Sequence, residues 1–432
     1  MTTAGAQSAV DYLLIGGGLA AITAAEEIRK RDPHGVILIV ATEKHPPYHR
    51  PPLSKEYLRG DIGSEGTYGA GGVFAQLPPW YDEQRVGLRT GVAVRRLDPD
   101  ARRATLSDGA EMLYSRALIA TGARPNMLTI PGAHLPGVHT LRTLDDSMAI
   151  REQLAAAGRH VVVIGSGFIG LEGASNALAR DAQVAIVDPV ERVWPGMLTP
   201  DLSDYLQAQY TRRGATFHLG HAPTEFVAGA DGRLAAVRIA PVNGVAGATV
   251  TLPAEIAIVG VGVKLNTDLA AEAGLNVDPR HGVMVDDHLR ASATGIFAAG
   301  DVAAYVDPVM GRYHFEHWDN AIASGQTAAV NMTGGDKHYQ HVPYFFSDQF
   351  DLAINMLGYP SPDAEVVMRG DPATDAFTAV YIRDGAIRAA LMVNDDAQMD
   401  TWRELIEVAA APPADHARLA DRTVDPASFK RP

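Results

Sequence analysis

The chain has no cysteine in its 432 residues. That absence removes structural disulfides, a redox-active Cys-x-x-Cys pair, a protein-ligated iron–sulfur cluster and a sulfenic-acid cycle, because each needs a thiolate. Any redox chemistry must then be borne by a bound organic cofactor or by a partner protein. Positive charge is scarce as well: 37 lysines and arginines stand against 51 acids, a formal charge of −14. Such a surface repels phosphate backbones and offers no footprint for DNA or RNA. No basic residue precedes Arg29, so the positive flank of a signal peptide is missing, and no apolar run approaches the roughly 18 residues of a membrane span. The expectation is a soluble, cytoplasmic protein without a membrane span. Its 47% apolar and 20% charged residues suit a folded chain, and 432 residues exceed one ordinary core, so two or three domains are expected.

Residues 10–15 read as a short buried strand that runs into Gly16-Gly17-Gly18-Leu19-Ala20-Ala21, a GxGxxA pattern. Good helix formers with apolar residues three and four apart follow over 19–30, then a second apolar run over 36–40. This is a βαβ unit, and small residues at Gly16, Gly18 and Ala21 are what its chemistry needs. The turn must be tight, the backbone must approach a pyrophosphate, and the helix must pack close enough to aim its first amides at the anion. Glu43, just past the second strand, suits a ribose hydroxyl. The pattern repeats at residues 161–164, followed by Gly165, Gly167 and Gly170 in a full GxGxxG, a helix to about residue 180, and a strand ending at Asp188. That acid lies 23 positions after Gly165, close to the roughly 20 expected of a nucleotide-binding unit.

Further strands deliver backbone to a ligand edge: 117–120 ahead of Thr121-Gly122, 256–259 ahead of Gly262, and 296–299 ahead of Gly300-Asp301. Asp301 can accept a hydrogen bond from a cofactor hydroxyl; its bland alternative is a helix N-cap. His45 and His49 are four apart, but the intervening prolines break the helix that a metal pair at that spacing needs, so no metal is expected. Towards the C-terminus the alternating runs Ala376–Arg383 and Ala386–Val393 flank Asp384-Gly385, a hairpin signal, and residues 399–410 read as a covering helix.

With two nucleotide units in one chain, the sequence resembles the FAD-dependent pyridine-nucleotide oxidoreductases, in the branch of ferredoxin and rubredoxin reductases, apoptosis-inducing factor and monodehydroascorbate reductase. The markers are Pro47-Tyr48-His49-Arg50-Pro51-Pro52-Leu53-Ser54-Lys55, similar to PYxRPPLSK; Glu316-His317-Trp318-Asp319-Asn320-Ala321, similar to ExWxNA and EHxDHA; and residues 343–351, similar to FWSDQ and PYFYSxSFD. The sequence departs from the monodehydroascorbate reductases at Ile322 and Phe346, where they carry the arginine and tyrosine that would serve an anionic radical.

The resemblance implies an α/β fold of glutathione-reductase type, with two Rossmann-like domains and a C-terminal α+β domain. A discontinuous FAD domain would cover 5–122 and 251–332, an NAD domain 123–250, and the C-terminal domain 333–432. It implies hydride transfer from NADH to FAD, with NADPH weaker, since the Asp188 carboxylate opposes a 2′-phosphate although Arg192 lies nearby. It places Lys55, paired with Glu172, beside the flavin, with Arg50 at the cofactor, Glu316 near the nicotinamide, His317 among the cofactor-binding residues, and Trp318 and Phe346 flanking the flavin. The expected acceptor is a small electron carrier, a ferredoxin or rubredoxin, steered by Arg95, Arg96, Arg102 and Arg103, or else a small molecule, the protein acting as monomer or homodimer. The other readings are an NADH-responsive flavoprotein like apoptosis-inducing factor and a diaphorase of monodehydroascorbate or quinones.

Overall fold

Each glycine loop of the sequence follows the central part of a parallel sheet. The computed structural model describes residues 8–242 and 249–430, so the expected domain start at residue 5 lies outside the described residues. The chain divides into two compact units. The first comprises the chain up to Arg50, Ile62–Arg124 and Val263–His341; the second comprises Pro51–Asp61, Pro125–Gly262 and the chain from Val342 onward.

In the first unit, strand Ser8–Ile15 lies between Ile37–Val40 and Glu111–Ile119, parallel to both. Val86–Arg89 extends one edge in parallel, and Ile296–Ala298 pairs parallel with the end of Glu111–Ile119. Two antiparallel strands, Arg103–Leu106 and Val94–Asp98, continue the sheet beyond Glu111–Ile119. The central strands are buried on both faces, which is why they read as unbroken apolar runs and not as alternating ones. Helices Leu19–Arg31 and Trp318–Met332 pack together, and their small residues Ala20, Ala21, Ala24, Ala328 and Ala329 join the unit's core.

The second unit holds a five-stranded sheet in the order Thr216–Leu219, Gln183–Asp188, His160–Ile164, Ile256–Val259, Val138–Thr140, every neighbour parallel. It also holds an antiparallel C-terminal sheet in the order Tyr344–Gln349, Leu352–Gly358, Ala386–Val393, Ala376–Arg383, Glu365–Asp371. The expected hairpin forms with the expected ends, and Asp384 and Gly385 both adopt positive φ (55° and 69°), the conformation its two-residue turn requires. The covering helix is Met399–Glu407, ending before Ala410. Both sheets contribute to one hydrophobic cluster: Val163, Leu171, Ile186 and Tyr210 share it with Phe345, Met356, Phe377 and Tyr381. The short segment Pro51–Asp61 belongs to this unit by contact, because Leu58 is buried in the same cluster. Among the described residues, no helix is long and apolar enough to cross a membrane.

Candidate functional site

At the first glycine loop, Gly16 has φ +130°, and a side chain there would overlap the Ala120 carbonyl, so only glycine fits the turn. Gly18 differs: a Cβ built on it meets nothing within 4 Å. It precedes helix Leu19–Arg31, whose N-terminus has no side-chain cap and no acid in its first turn. The second loop repeats the arrangement. Gly165 has φ +100° and abuts the Gly260 carbonyl, Gly167 faces open space, and helix Phe168–Leu178 begins without a cap or a first-turn acid. Uncapped amides beside a space cleared of side chains are what a pyrophosphate needs, since the orphan N–H groups and the helix dipole both favour an anion. The two loops therefore fit dinucleotides.

Around the first loop, Glu43 forms an ion pair with Arg50 (2.7 Å) and accepts the Tyr48 hydroxyl, which also lies 3.1 Å from Arg50. Burial opposes charge on the Arg50 guanidinium, but Tyr48, Glu43 and Asp301 more than offset this and raise its pKa. Asp301 follows Gly300, whose backbone N–H donates to Ser324 (2.9 Å) and whose α-carbon faces Ala20 of the glycine-loop helix. The first unit thus brings Glu43, Arg50 and Asp301 into one electrostatic group, with Gly300 against the start of that helix. Thr121 has its backbone N against Gly16 and, with Gly122, forms a ladder with Asn266: the Thr121 hydroxyl donates to the Asn266 carbonyl (2.7 Å) and the Asn266 amide donates back (2.8 Å).

Trp318 opens helix Trp318–Met332, and its indole N–H donates to His49 Nδ1 at 2.9 Å; the His49 ring stacks on Tyr68 at 4.5 Å. Burial pushes the His49 imidazole down to about 4, which keeps it a neutral acceptor. His317 is likewise lowered to about 4 by burial, whereas Glu316 is exposed and contacts His314 at 3.0 Å.

In the second unit, Asp188 closes its strand against the glycine loop. Its Oδ2 accepts the Ser166 backbone N–H (2.5 Å) and hydroxyl (2.8 Å), and its Oδ1 accepts Val190 N–H (3.1 Å). Gly262, φ +82°, accepts Asn126 N–H at 3.0 Å.

Lys55 and Glu172 are 3% and 2% exposed, and Lys55 Nζ lies 2.8 Å from Glu172 Oε1. Two helix and strand periodicities build this pair. Glu172 and Asn176, four apart on one face of helix Phe168–Leu178, and Arg180 just past its end hold the stretch from Ser54 to Arg59. Glu172 accepts the Ser54 hydroxyl, Asn176 Nδ2 donates to the Ser54 carbonyl (2.6 Å), and Arg180 donates to the Arg59 carbonyl (2.9 Å). From the other side, the period of two along Tyr344–Gln349 buries Ser347 and Gln349 together. Ser347 donates to Glu172 Oε1 (2.6 Å), Gln349 donates to Ser347 (2.9 Å), and the Tyr210 hydroxyl donates to Gln349 (2.7 Å). The alternate residue, Phe346, presents its ring 5.1 Å from Lys55 Nζ. Nearby, burial raises the Asp348 carboxyl, with Lys55 pulling the other way. Ser54, Asn176, Ser347, Gln349 and Tyr210 were not singled out from sequence; the four-residue spacing after Glu172 and the alternation of Ser347 with Gln349 were the available signals.

Two glycine loops, each ending at an uncapped helix beside cleared space, define a protein that holds two dinucleotides. Residues 10–325 match the pyridine nucleotide-disulphide oxidoreductase family and residues 344–429 the reductase C-terminal family. The chain belongs to the pyridine nucleotide-disulphide oxidoreductases, and is an oxidoreductase of the FAD- and NAD(P)H-binding kind. It is 36% identical over 431 residues to the ferredoxin–NAD(+) reductase component of the anthranilate 1,2-dioxygenase system of Burkholderia cepacia, covering 98% of this chain and 100% of the relative. Among solved structures, a ferredoxin reductase from Rhodopseudomonas palustris has a TM-score of 0.88 at 32% identity over 97% of this chain and 99% of its own. The covalent putidaredoxin reductase–putidaredoxin complex has a TM-score of 0.88 at 28% identity over 97% and 98%. Disulphide chemistry, which gives the family its name, is closed to a chain without cysteine.

Proposed function

We propose that the protein is an NADH-dependent, FAD-containing reductase that delivers electrons to a small iron–sulfur protein of the ferredoxin or rubredoxin type. The observation that carries this reading is the buried Lys55–Glu172 pair in a chain without a single thiol. FAD, when bound, accepts a hydride from the nicotinamide and releases electrons singly to a one-electron acceptor. Lys55 supplies fixed positive charge towards the flavin, and Glu172, locked by Ser54 and Ser347, keeps the ammonium in place as charge develops. Gly16, Gly18 and Ala21 admit the FAD pyrophosphate, with Glu43, Arg50, Thr121, Gly122, Gly300 and Asp301 as its further contacts. Gly165, Gly167 and Gly170 admit that of NADH, joined by Asp188, Gly262, Glu316 and His317. Trp318 of the first unit and Phe346 of the second are the aromatic residues that the family resemblance assigns to the flavin.

In this reading the FAD domain is 5–122 with 251–332, the NAD domain 123–250 and the C-terminal domain 333–432. The relatives' names, ferredoxin reductases among them, support the acceptor class. Preference for NADH follows from Asp188: its carboxylate, buried against Ser166, opposes a 2′-phosphate at the same strand end. The test is NADH-driven reduction of a panel of [2Fe–2S] ferredoxins and a rubredoxin, with ferricyanide as a partner-independent control. Fast ferricyanide turnover without reduction of any panel member would overturn the acceptor assignment and favour a diaphorase. Slow turnover with every acceptor would favour an NADH-responsive binding protein.

A further inference from the structure

We propose that Asp287, His288 and His338 form a binding site for a divalent transition-metal ion, zinc(II) the first choice. Among the described residues they are the one group of three ligand-type side chains that converge, their donor atoms all within 4.8 Å of one another. All three lie in the first unit, on two segments 50 positions apart.

The carboxylate of Asp287 is shared between two imidazoles. Its Oδ1 lies 2.6 Å from His288 Nδ1 and its Oδ2 lies 2.8 Å from His338 Nδ1, so both rings turn the same nitrogen towards one point. The rings are 4.3 Å apart, centroid to centroid. Two imidazole nitrogens and a carboxylate oxygen are a borderline-soft donor set, suited to zinc or copper and poor for magnesium or calcium. Ligand bonds of about 2.0–2.2 Å put neighbouring donors roughly 3.3 Å apart in a tetrahedron, a spacing of the same order as that of the three donor atoms, all within 4.8 Å of one another.

The surroundings favour the ion in two further ways. His288 is 9% exposed, and its outer nitrogen, Nε2, faces an Asp336 oxygen at 2.9 Å. That carboxylate adds negative charge beside the group, which favours a cation. The backbone is also pinned. Buried Asn331 donates to the carbonyls of both His288 and Lys337 (2.8 Å each), and Tyr339 N–H donates to the Asp287 carbonyl (2.6 Å). The two ligand segments are thus held together before any ion arrives, and the ion would clip the 286–290 turn to the segment around His338.

Tag-free holoprotein, freed of metal by chelation, would be titrated with Zn²⁺ by calorimetry and with Cu²⁺ by electron paramagnetic resonance. One zinc equivalent should bind and raise the melting temperature, and Cu²⁺ should show superhyperfine splitting from two nitrogens. His338→Ala should leave one nitrogen, and either His338→Ala or Asp287→Asn should weaken zinc by tenfold or more, with flavin content and ferricyanide turnover unchanged. Absence of a saturable zinc isotherm, or equal affinity in both variants, would overturn the site. Both substitutions fall on exposed side chains, so Asp287→Asn decides the matter should His338→Ala fold poorly.

Discussion

Replacing Glu172 by glutamine removes one charge from the most enclosed ion pair of the second unit and keeps the side chain's size. The structure says what is lost. Lys55, 3% exposed, loses its counter-ion, and one acceptor oxygen, on which Ser54 or Ser347 relies, becomes an N–H₂ donor. Breaking a buried pair from one side typically costs about 3–5 kcal/mol, because the remaining charge stays buried alone. The loss has a ceiling: an ordinary lysine can escape by shedding its proton, which costs about 4.6 kcal/mol at pH 7. Glu172→Gln should therefore destabilise the protein by about 3–4 kcal/mol in urea unfolding followed by circular dichroism and flavin fluorescence. Lys55→Met should cost a similar amount, since it strands the carboxylate with two serine donors. The double variant Lys55→Met/Glu172→Gln should recover about 2 kcal/mol or more of the summed losses, the signature of coupled partners. Two single losses below about 1 kcal/mol, or losses that simply add, would refute the reasoning. Anaerobic stopped-flow with saturating NADH should in addition show slower flavin reduction in both single variants, and an unchanged rate would remove the pair from the mechanism.

Gly18→Ala and Gly167→Ala should leave the fold intact yet weaken FAD and NADH respectively, because their new methyl groups point into cleared space; Gly16→Ala, clashing with the Ala120 carbonyl, should fold poorly, and flavin retention with thermal melts separates these outcomes. His49 and His317, both lowered to about 4 by burial, bind fewer protons folded than unfolded between their ordinary value near 6.5 and 4. Their stabilising contribution is complete above pH 6.5, falls as pH drops through that window, and levels off below about 4, of the order of 1–2 kcal/mol per ring after solvent screening; a melting temperature flat from pH 7 to 4 in the wild type, or one whose fall is unaltered in His49→Phe, would contradict this. NADH should exceed NADPH in kcat/KM by about one to two decades, from a 1–3 kcal/mol penalty on the 2′-phosphate. Asp188→Ala should narrow that gap mainly through the loss of NADH, and a wild-type preference for NADPH would assign the ribose pocket to Arg192 instead.

The two nucleotide units were legible in the sequence because their physics is local. A tight turn forces glycine at Gly16 and Gly165, a strand buried on both faces forces an apolar run before it, and the helix follows directly. The Asp384-Gly385 hairpin was legible for the same reason, its turn and alternation lying within 18 consecutive residues. Lys55 and Glu172 could be singled out only through a family resemblance, since they are 117 positions apart and nothing local ties them. Tertiary structure alone decided what holds them. A helix stripe of period four and a strand face of period two, from segments far apart in the chain, meet on one carboxylate, and either period read alone looks like ordinary core. The same holds for Asp287, His288 and His338: a residue pair in a turn and a lone histidine some 50 positions later become one donor set only when Asn331 binds both backbones. Tertiary structure also decided that the Asp188 carboxylate accepts the N–H and hydroxyl of Ser166 in its own glycine loop, a contact between residues 22 apart that no spacing rule encodes.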